Sequence, residues 1–201
     1  MERITLHPVT PEKRLIKKIA GVFEKGGLVI YPTDTGYSVG CSVHSKKGIT
    51  RIYHLKRAIK KYVMAIMVPS FSTITEFANV DNAAFRYMKG KLPGPYTFIL
   101  PATQHGKKVL DVRRPEVGVR MPQHLFFDAL REHYPDPILN TAARIREEDT
   151  FVDPDDIEEG FNGLVELLID MGPIPRNPTT VISLVHGYPE LVRQGAGRFE
   201  E

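Results

Sequence analysis

The sequence has few of the residues that form disulfides or arrange into metal sites in small proteins. It has one cysteine, Cys41, among 201 residues, so no intrachain disulfide can form. Cys41 lies in an apolar segment with no second cysteine or histidine beside it, which indicates a buried structural thiol. The seven histidines are scattered, and none forms the i, i+4 pair or the cysteine–histidine spacing of a dedicated metal site. We therefore expect no structural metal.

Long hydrophobic runs are also absent. No apolar stretch approaches the ~20 residues of a membrane span, and the first residues, MERITLHPV, lack the apolar core of a secretory signal. Hydrophobic residues make up 42% and charged residues 25% of the chain, the usual balance of a globular protein. We expect one cytoplasmic domain over residues 1–201 that contacts no membrane.

Several familiar nucleotide and catalytic motifs are missing. The sequence has no GxxxxGK[ST] phosphate loop, no GxGxxG after a strand, no kinase set and no GxSxG turn. A protein that handles a nucleotide without them must use dispersed Lys, Arg and Thr side chains from several strand ends. The net charge of +3 is compatible with anionic ligands but does not identify nucleic acid.

The most informative stretch is residues 26–43, GGLVIYPTDTGYSVGCSV. It reads as a buried strand over 28–32, a polar loop, and a second strand over 38–43. The loop places Thr33, Asp34, Thr35 and Tyr37 where a strand ends, and strand ends in α/β sheets commonly bind ligands. Two interpretations stay open from these residues alone, an ordinary polar hairpin turn and a binding site.

The remaining pattern alternates strands with helices and predicts an α/β (α+β) fold with about seven strands and five helices. Helices are expected to begin at Thr10, after Ser45, after Asp81, at 125 and at Asp153, each cap supplying a side-chain acceptor or a favourable first turn. Residues 180–184 and 191–193 predict a closing hairpin. The charged segment 143–150 is the best candidate for a mobile loop.

Six blocks occur in an order and at a spacing that resemble the YrdC and YciO superfamily. They are PTDTGYSVG, the LKR at 55–57, PGPYTFIL, VGVRMPQH, PTTVISL and VRQGAG. Together they resemble a single YrdC-type domain that covers nearly the whole chain. The resemblance implies a twisted open mixed sheet enclosing a basic cavity. The family's best-known activity joins L-threonine, bicarbonate and ATP into threonylcarbamoyl-adenylate, releases pyrophosphate, and serves tRNA modification.

The resemblance also implies roles for individual side chains. Substrate-binding residues would be Thr33, Thr35, Tyr37, Arg120 and Thr179, and nucleotide or phosphate-binding residues would be Lys56, Arg57, Thr141, Arg144 and Arg193. Arg120 would pair with the amino-acid carboxylate, for which guanidinium is well suited. We expect it to emerge beside the Thr35 loop and to pair with an acidic side chain, a carbonyl or an anion. Mg²⁺ would enter with ATP. Positioning and electrostatics would supply the catalysis, so the resemblance implies no nucleophile.

Alternative roles exist for two kinds of basic residue. The side chain of Lys56 follows a predicted helix, where a cation interacts favourably with the helix dipole. For Arg120 and Arg193 the alternative is a surface ion pair.

Three departures from the synthase pattern point to the YciO-like branch. The K-x-R of synthase members is here 56–58, KRA, and their S-x-N is 141–143, TAA. Their histidine at the end of the next strand is Met67. Because charge-assisted hydrogen bonds are strong, these losses weaken the expectation of ATP binding. Candidates to compensate are Arg57, Lys60, Lys61 and Arg144.

Three functions remain open from the sequence. The first is a synthase-like protein that binds ATP and L-threonine. The second is a module that binds double-stranded RNA, tRNA or rRNA without synthase activity, which requires the basic segments 56–61 and 107–114 to line one cavity. The third is a small-molecule sensor or a structural domain that binds no nucleotide.

Overall fold

The computed structural model describes residues 1–57, 59, 64–110 and 115–200. These residues form ten strands and seven helices. In chain order they are β1 (Glu2–Thr5), α1 (Lys13–Glu24), β2 (Val29–Thr33), β3 (Gly36–Ser42), α2 (Lys46–Leu55), β4 (Ala65–Met67), α3 (Phe71–Phe77), α4 (Asn82–Lys89), β5 (Tyr96–Pro101), α5 (Gln104–Leu110), β6 (Glu116–Arg120), α6 (Leu125–Arg131), β7 (Ile138–Ala142), α7 (Pro154–Phe161), β8 (Leu167–Asp170), β9 (Thr180–Ser183) and β10 (Glu190–Arg193). Within the described ranges, every helix is too short or too polar to cross a bilayer.

All ten strands join one open mixed sheet in the order β1-β8-β2-β3-β7-β4-β6-β5-β9-β10. The expected seven strands and five helices are too few. The helices that the sequence pattern missed are α3 and α5, seven residues each, which pack on one another. The predicted hairpin of β9 and β10 is confirmed as an antiparallel pair. Strands β3 and β4 are both antiparallel to β7, which lies between them.

Local capping explains most helix starts. The predicted caps Ser45, Asp81 and Asp153 are confirmed, since each side chain accepts a hydrogen bond from a backbone N–H in the first turn of its helix. The Thr10 cap is wrong because the backbone N–H and the hydroxyl of Thr10 both bond to His7 Nδ1. Helix α1 therefore begins three residues later, at Lys13.

One face of the sheet is divided into a covered half and an open half. On the covered half, α1 and α6 pack over β1, β8 and β2. There Tyr31 stacks on Phe126 and meets Phe23 edge to face. The register places Ser38 beside Tyr31, and Ala142 beside Ser38, on the same face. From β3 through β7, β4, β6 and β5, the same face carries polar and small side chains that no helix covers.

Tyr31 marks the border between the two halves. Its ring is fully buried, whereas its hydroxyl donates a 2.8 Å hydrogen bond to Asn140 Oδ1 on β7 and lies 3.2 Å from Met67 Sδ. Burial raises the pKa of this hydroxyl, so it stays a neutral donor. The helix-covered core thereby fixes a polar side chain of the open half.

Substitution of Phe126 tests how much the packing of α6 against Tyr31 stabilises the folded protein. Phe126 is fully buried and its ring centroid lies 5.8 Å from that of Tyr31. We expect Phe126→Ala to lower the free energy of unfolding by about 3–5 kcal/mol, the usual cost of such a core cavity. The neighbouring Leu125 is 49% exposed, and Leu125→Ala should stay within about 0.5 kcal/mol of the parent. Urea denaturation measures both, and equal losses would contradict this packing.

Candidate functional site

A cavity of about 730 Å³ lies on the open half of the sheet. Ser38, Ala65, Ile99, Gly118 and Asn140 share that face by strand register and form its floor. The absence of a side chain at Gly118 matters, because a Cβ there would lie 2.9 Å from the Met64 carbonyl oxygen. Small residues on these strands leave room for a ligand.

One end of the cavity is built around Arg120, the last residue of β6. Its guanidinium is buried, and Nη2 donates to the Asp34 carboxylate, to Thr35 Oγ1 (2.6 Å) and to Thr33 Oγ1 (3.2 Å). The expectation that an acidic side chain pairs with Arg120 is confirmed. Arg120 Nε is buried and has no hydrogen-bond partner among the described residues. A planar anion is the group that satisfies such a free donor.

The Asp34–Thr35 turn is both a tight hairpin and a wall of the cavity. Strands β2 and β3 pair up to Thr33 and Gly36, which leaves two residues to turn. Gly36 has φ +113°, a conformation that side chains other than glycine rarely adopt. Thr33 Oγ1 donates to the Gly36 carbonyl at 2.6 Å, so this hydroxyl holds the turn from behind while Thr35 faces the cavity.

Tyr37 is the next polar residue of β3 in the lining. Its hydroxyl donates to the Gly172 carbonyl at 2.8 Å and accepts from the Met171 N–H at 3.2 Å. Burial raises its pKa to about 12. The phenol therefore ties β3 to the segment after β8.

Lys56 lies at the end of the cavity opposite to Arg120. Lys56 directly follows α2, yet it is only 1% exposed. Its Nζ donates to the carbonyl of Ala142 (2.5 Å), the last residue of β7, and to that of Arg144 (2.6 Å), two residues later. The amine thus interacts with the end of β7 and the loop that follows it, and not with the end of its own helix, α2. Burial, and then the charges of Arg144 and Arg176, lower its pKa to about 7.

Three arginines stand above Lys56. Arg144 is mostly buried, and its guanidinium lies 3.8 Å from the Glu147 carboxylate, whereas Arg176 and Arg193 keep much of their surface exposed. Burial and the charge of Arg144 lower the pKa of both exposed arginines. Four basic side chains therefore lie close together at this end of the cavity and their charges repel one another, an arrangement that favours an anion there.

Threonine hydroxyls line the wall between these cations. Arg193 donates to the Thr179 carbonyl through Nη2 at 2.8 Å and to Thr179 Oγ1 at 3.1 Å. Thr179 Oγ1 in turn lies 2.9 Å from Thr97 Oγ1. Such hydroxyls donate to or accept from a phosphate or carboxylate without adding charge.

The structure brings together most of the residues that the sequence singled out. The cavity lining includes Thr35, Tyr37, Lys56, Arg120, Thr141, Arg144, Thr179 and Arg193. Thr33 lies behind the turn. Arg57 is not in the lining, because it is exposed and its Nη2 lies 3.1 Å from His54 Nε2. Lys60 and Lys61 lie outside the described residues.

Several lining residues carried no sequence signal. The most polar of these are Asn140, Arg176, Ser38, Thr97, Glu116 and Tyr53. Asn140 directly precedes Thr141 on a predicted strand, and its pairing beside Ala65 and Gly40 is what turns it inward. Arg176 follows a proline-rich stretch without periodicity. Ala143 occupies the wall where the synthase pattern has asparagine.

The basic segments needed for an RNA-binding cavity are only partly brought together. Lys107 and Lys108 lie at the end of α5 and are not in the cavity lining, and residues 111–114 are outside the described part of the chain. Within that part, no group of three or more Asp, Glu, His or Cys side chains is placed to hold a metal ion. Among the described residues, the lining contains one carboxylate, Glu116.

Comparison with known proteins finds relatives that match nearly the whole chain. The chain is 36% identical over 194 residues to the uncharacterized protein YciO of Escherichia coli strain K12, a match that covers 96% of this chain and 94% of YciO. It is 30% identical over 192 residues to the threonylcarbamoyl-AMP synthase of Pyrococcus abyssi, covering 94% of this chain but 56% of that enzyme.

Solved structures show the same fold. The crystal structure of E. coli YciO has a TM-score of 0.89 and 33% identity, covering 98% of this chain and 97% of that one. P. abyssi Sua5 complexed with L-threonine has a TM-score of 0.87 and 28% identity, covering 97% of this chain and 58% of that one. A family model of Sua5, YciO and YrdC, described as "Telomere recombination", matches residues 21–195. The chain therefore belongs to the Sua5/YciO/YrdC family.

Proposed function

We propose that the cavity binds an amino acid, with L-threonine the first candidate, together with the phosphates of a nucleotide, as in a threonylcarbamoyl-adenylate synthase. The observation that carries this is the division of one cavity into two ends. A single guanidinium, paired with Asp34 among hydroxyls, lies at one end. Four basic side chains lie at the other: Lys56, Arg144, Arg176 and Arg193. These ends fit a carboxylate and a polyphosphate, respectively.

At the first end, Arg120 would hold the carboxylate and Thr35 would bond the amino-acid side chain or amine. Arg120 Nε has no hydrogen-bond partner among the described residues, and the Asp34 carboxylate pairs with the guanidinium as a ligand carboxylate would. Support comes from P. abyssi Sua5, whose structure was solved as a complex with L-threonine. The overall likeness of the two folds makes the same ligand the first to test.

At the second end, the reaction would need little covalent help from the protein. The carbamate formed from threonine and bicarbonate attacks the α-phosphate of ATP, and pyrophosphate leaves. Cations that surround the phosphates stabilise the charge that develops in that step. Mg²⁺ would come with ATP and be held chiefly by its phosphates, since the residues that the structure describes contribute one carboxylate to the lining, the exposed Glu116.

A pyrophosphate-release assay tests the synthase reaction directly. Protein incubated with L-threonine, bicarbonate, ATP and Mg²⁺ is expected to release pyrophosphate, and omission of threonine should abolish the release. The absence of arginine at position 58 and of asparagine at position 143 predicts a higher KM for ATP than in synthases that keep both. Release no faster than with heat-denatured protein would reject the synthase reaction.

Arg120→Ala should abolish binding of L-threonine, as measured by calorimetry, because the carboxylate loses its charged partner. The matched control is Arg3→Ala. Arg3 is also a partly buried arginine bonded to carboxylates, Asp170 among them, but it lies on β1 at the far edge of the sheet. This control should bind threonine like the parent. Unchanged binding by Arg120→Ala would contradict the proposed carboxylate site.

The affinity for phosphates should depend on pH through Lys56. Because its pKa in the folded protein is about 7, its charge is present below that pH and is lost as the pH rises toward 9. A phosphate monoester is already ionised above pH 7. The affinity of the parent for ATP should therefore fall from pH 7 to 9, whereas Lys56→Met should bind more weakly and with a flatter pH profile. Parallel profiles would assign the titration to another group.

An RNA-binding protein without synthase activity is the second candidate. It is favoured by the loss of arginine at position 58 and asparagine at position 143, and by the exposure of Arg176 and Arg193 at the cavity mouth. Binding through phosphates weakens steeply with salt. Salt-sensitive binding of tRNA, rRNA or double-stranded RNA without pyrophosphate release would select this candidate, and an affinity independent of salt would exclude it.

A further inference from the structure

The segment between β8 and β9 crosses the sheet at the cavity. Strand β8 is second in the sheet and β9 is ninth, yet only residues 171–179 join them. This short crossover must run past the ends of the intervening strands. Tyr37, at the end of β3, bonds to its first residues, and Thr179, at its other end, lines the cavity. The segment therefore forms one rim of the cavity.

Backbone contacts hold the middle of this crossover in place. The Asn177 N–H donates to the Thr35 carbonyl at 3.2 Å, and the Ile174 N–H donates to the Val152 carbonyl at 3.0 Å. Gly36 packs against the backbone of Arg176, since a Cβ at Gly36 would lie 3.5 Å from the Arg176 Cα. Residue 176 is thus fixed by the turn that carries Thr35, although it belongs to no helix or strand.

The side chain of Arg176 points into the cationic end of the cavity. It lines the cavity with Lys56, Arg144 and Arg193, and its charge contributes to lowering the pKa of Lys56. Its Nη1 donates one long hydrogen bond, 3.5 Å, to the Asp149 carbonyl. Among the described residues, no carboxylate lies within 4 Å of its guanidinium nitrogens to neutralise it. A fixed backbone holds this charge beside three like charges.

We propose that Arg176 is a phosphate-binding residue of this cavity and contacts the polyphosphate of the ligand. This inference rests on the proposed function, because it assigns a residue to the same anionic site. Lys56 has a pKa of about 7 and Arg144 lies 3.8 Å from the Glu147 carboxylate, so Arg176 and Arg193 are the least neutralised cations at this end. A chain of phosphates offers oxygens to both arginines, more than one phosphate group can.

Calorimetry with inorganic tripolyphosphate, ATP and inorganic phosphate tests the inference without any turnover. The parent should bind tripolyphosphate and ATP more tightly than phosphate. Arg176→Gln, which keeps a long polar side chain, should weaken both of the tighter ligands by about tenfold or more, the range expected for one charge-assisted hydrogen bond. The affinity of Arg176→Lys should lie between those of the parent and of Arg176→Gln, because lysine keeps the charge and loses the planar donor pair.

The matched control is Arg146→Gln. Arg146 is an exposed arginine of the neighbouring loop that lines a separate shallow pocket, so its removal should change affinity by less than about twofold if only long-range charge is lost. Arg193→Gln serves as the positive control for the proposed function. Thermal unfolding of each variant verifies that the fold is intact.

The possible outcomes separate the two claims. If Arg193→Gln loses affinity while Arg176→Gln binds like the parent, the inference about Arg176 is wrong and the proposed site stands. If Arg146→Gln loses as much as Arg176→Gln, the effect is general charge and the specific role is rejected. Equal affinity of the parent for phosphate and tripolyphosphate overturns the polyphosphate assignment. A parent that binds none of the three ligands overturns the proposed function and this inference together.

Discussion

A buried guanidinium at the end of β6 imposes the constraint on which the site depends. An unpaired charge at the position of Arg120 would cost several kcal/mol, and its partners all belong to the β2–β3 turn. Strands β7 and β4 lie between β3 and β6. In a flat sheet three strand spacings amount to about 14 Å, farther than an arginine side chain extends. The β2–β3 turn must therefore reach Arg120 across the ends of β7 and β4, where Thr35 becomes part of the cavity wall.

The cationic end shows how function opposes stability in this fold. Lys56 is buried beneath three arginines, and its pKa is lowered to about 7 because burial and like charges disfavour its protonated form. The two carbonyls that Nζ bonds keep the amine in place even so. An anion that enters the cavity would relieve this repulsion. Any such ligand must stabilise the folded state, because it binds the native cluster and not the unfolded chain.

The same sheet face serves two purposes because its side chains change from large to small along the strand order. Aromatic rings under α1 and α6 fill the half that contains β2, and Ala65 and Gly118 leave the other half empty. Tyr31 joins the halves, with its ring in the core and its hydroxyl on Asn140. Packing of the core is thus transmitted to a polar residue of the cavity floor.

The sequence by itself determined the family, the order of most elements and eight of the residues that line the cavity, because capping, strand pattern and the six blocks are local properties. It could not predict that Lys56 is buried while its neighbour Arg57 is exposed, since that depends on where α2 ends relative to the β7 loop. Tertiary structure also overrode the Thr10 cap through His7. Arg176 lies in a segment with no periodicity, and only the crossing from β8 to β9 places it over the cavity. Which charges share the cavity was decided by contacts between residues far apart in the chain, and no local pattern encodes those contacts.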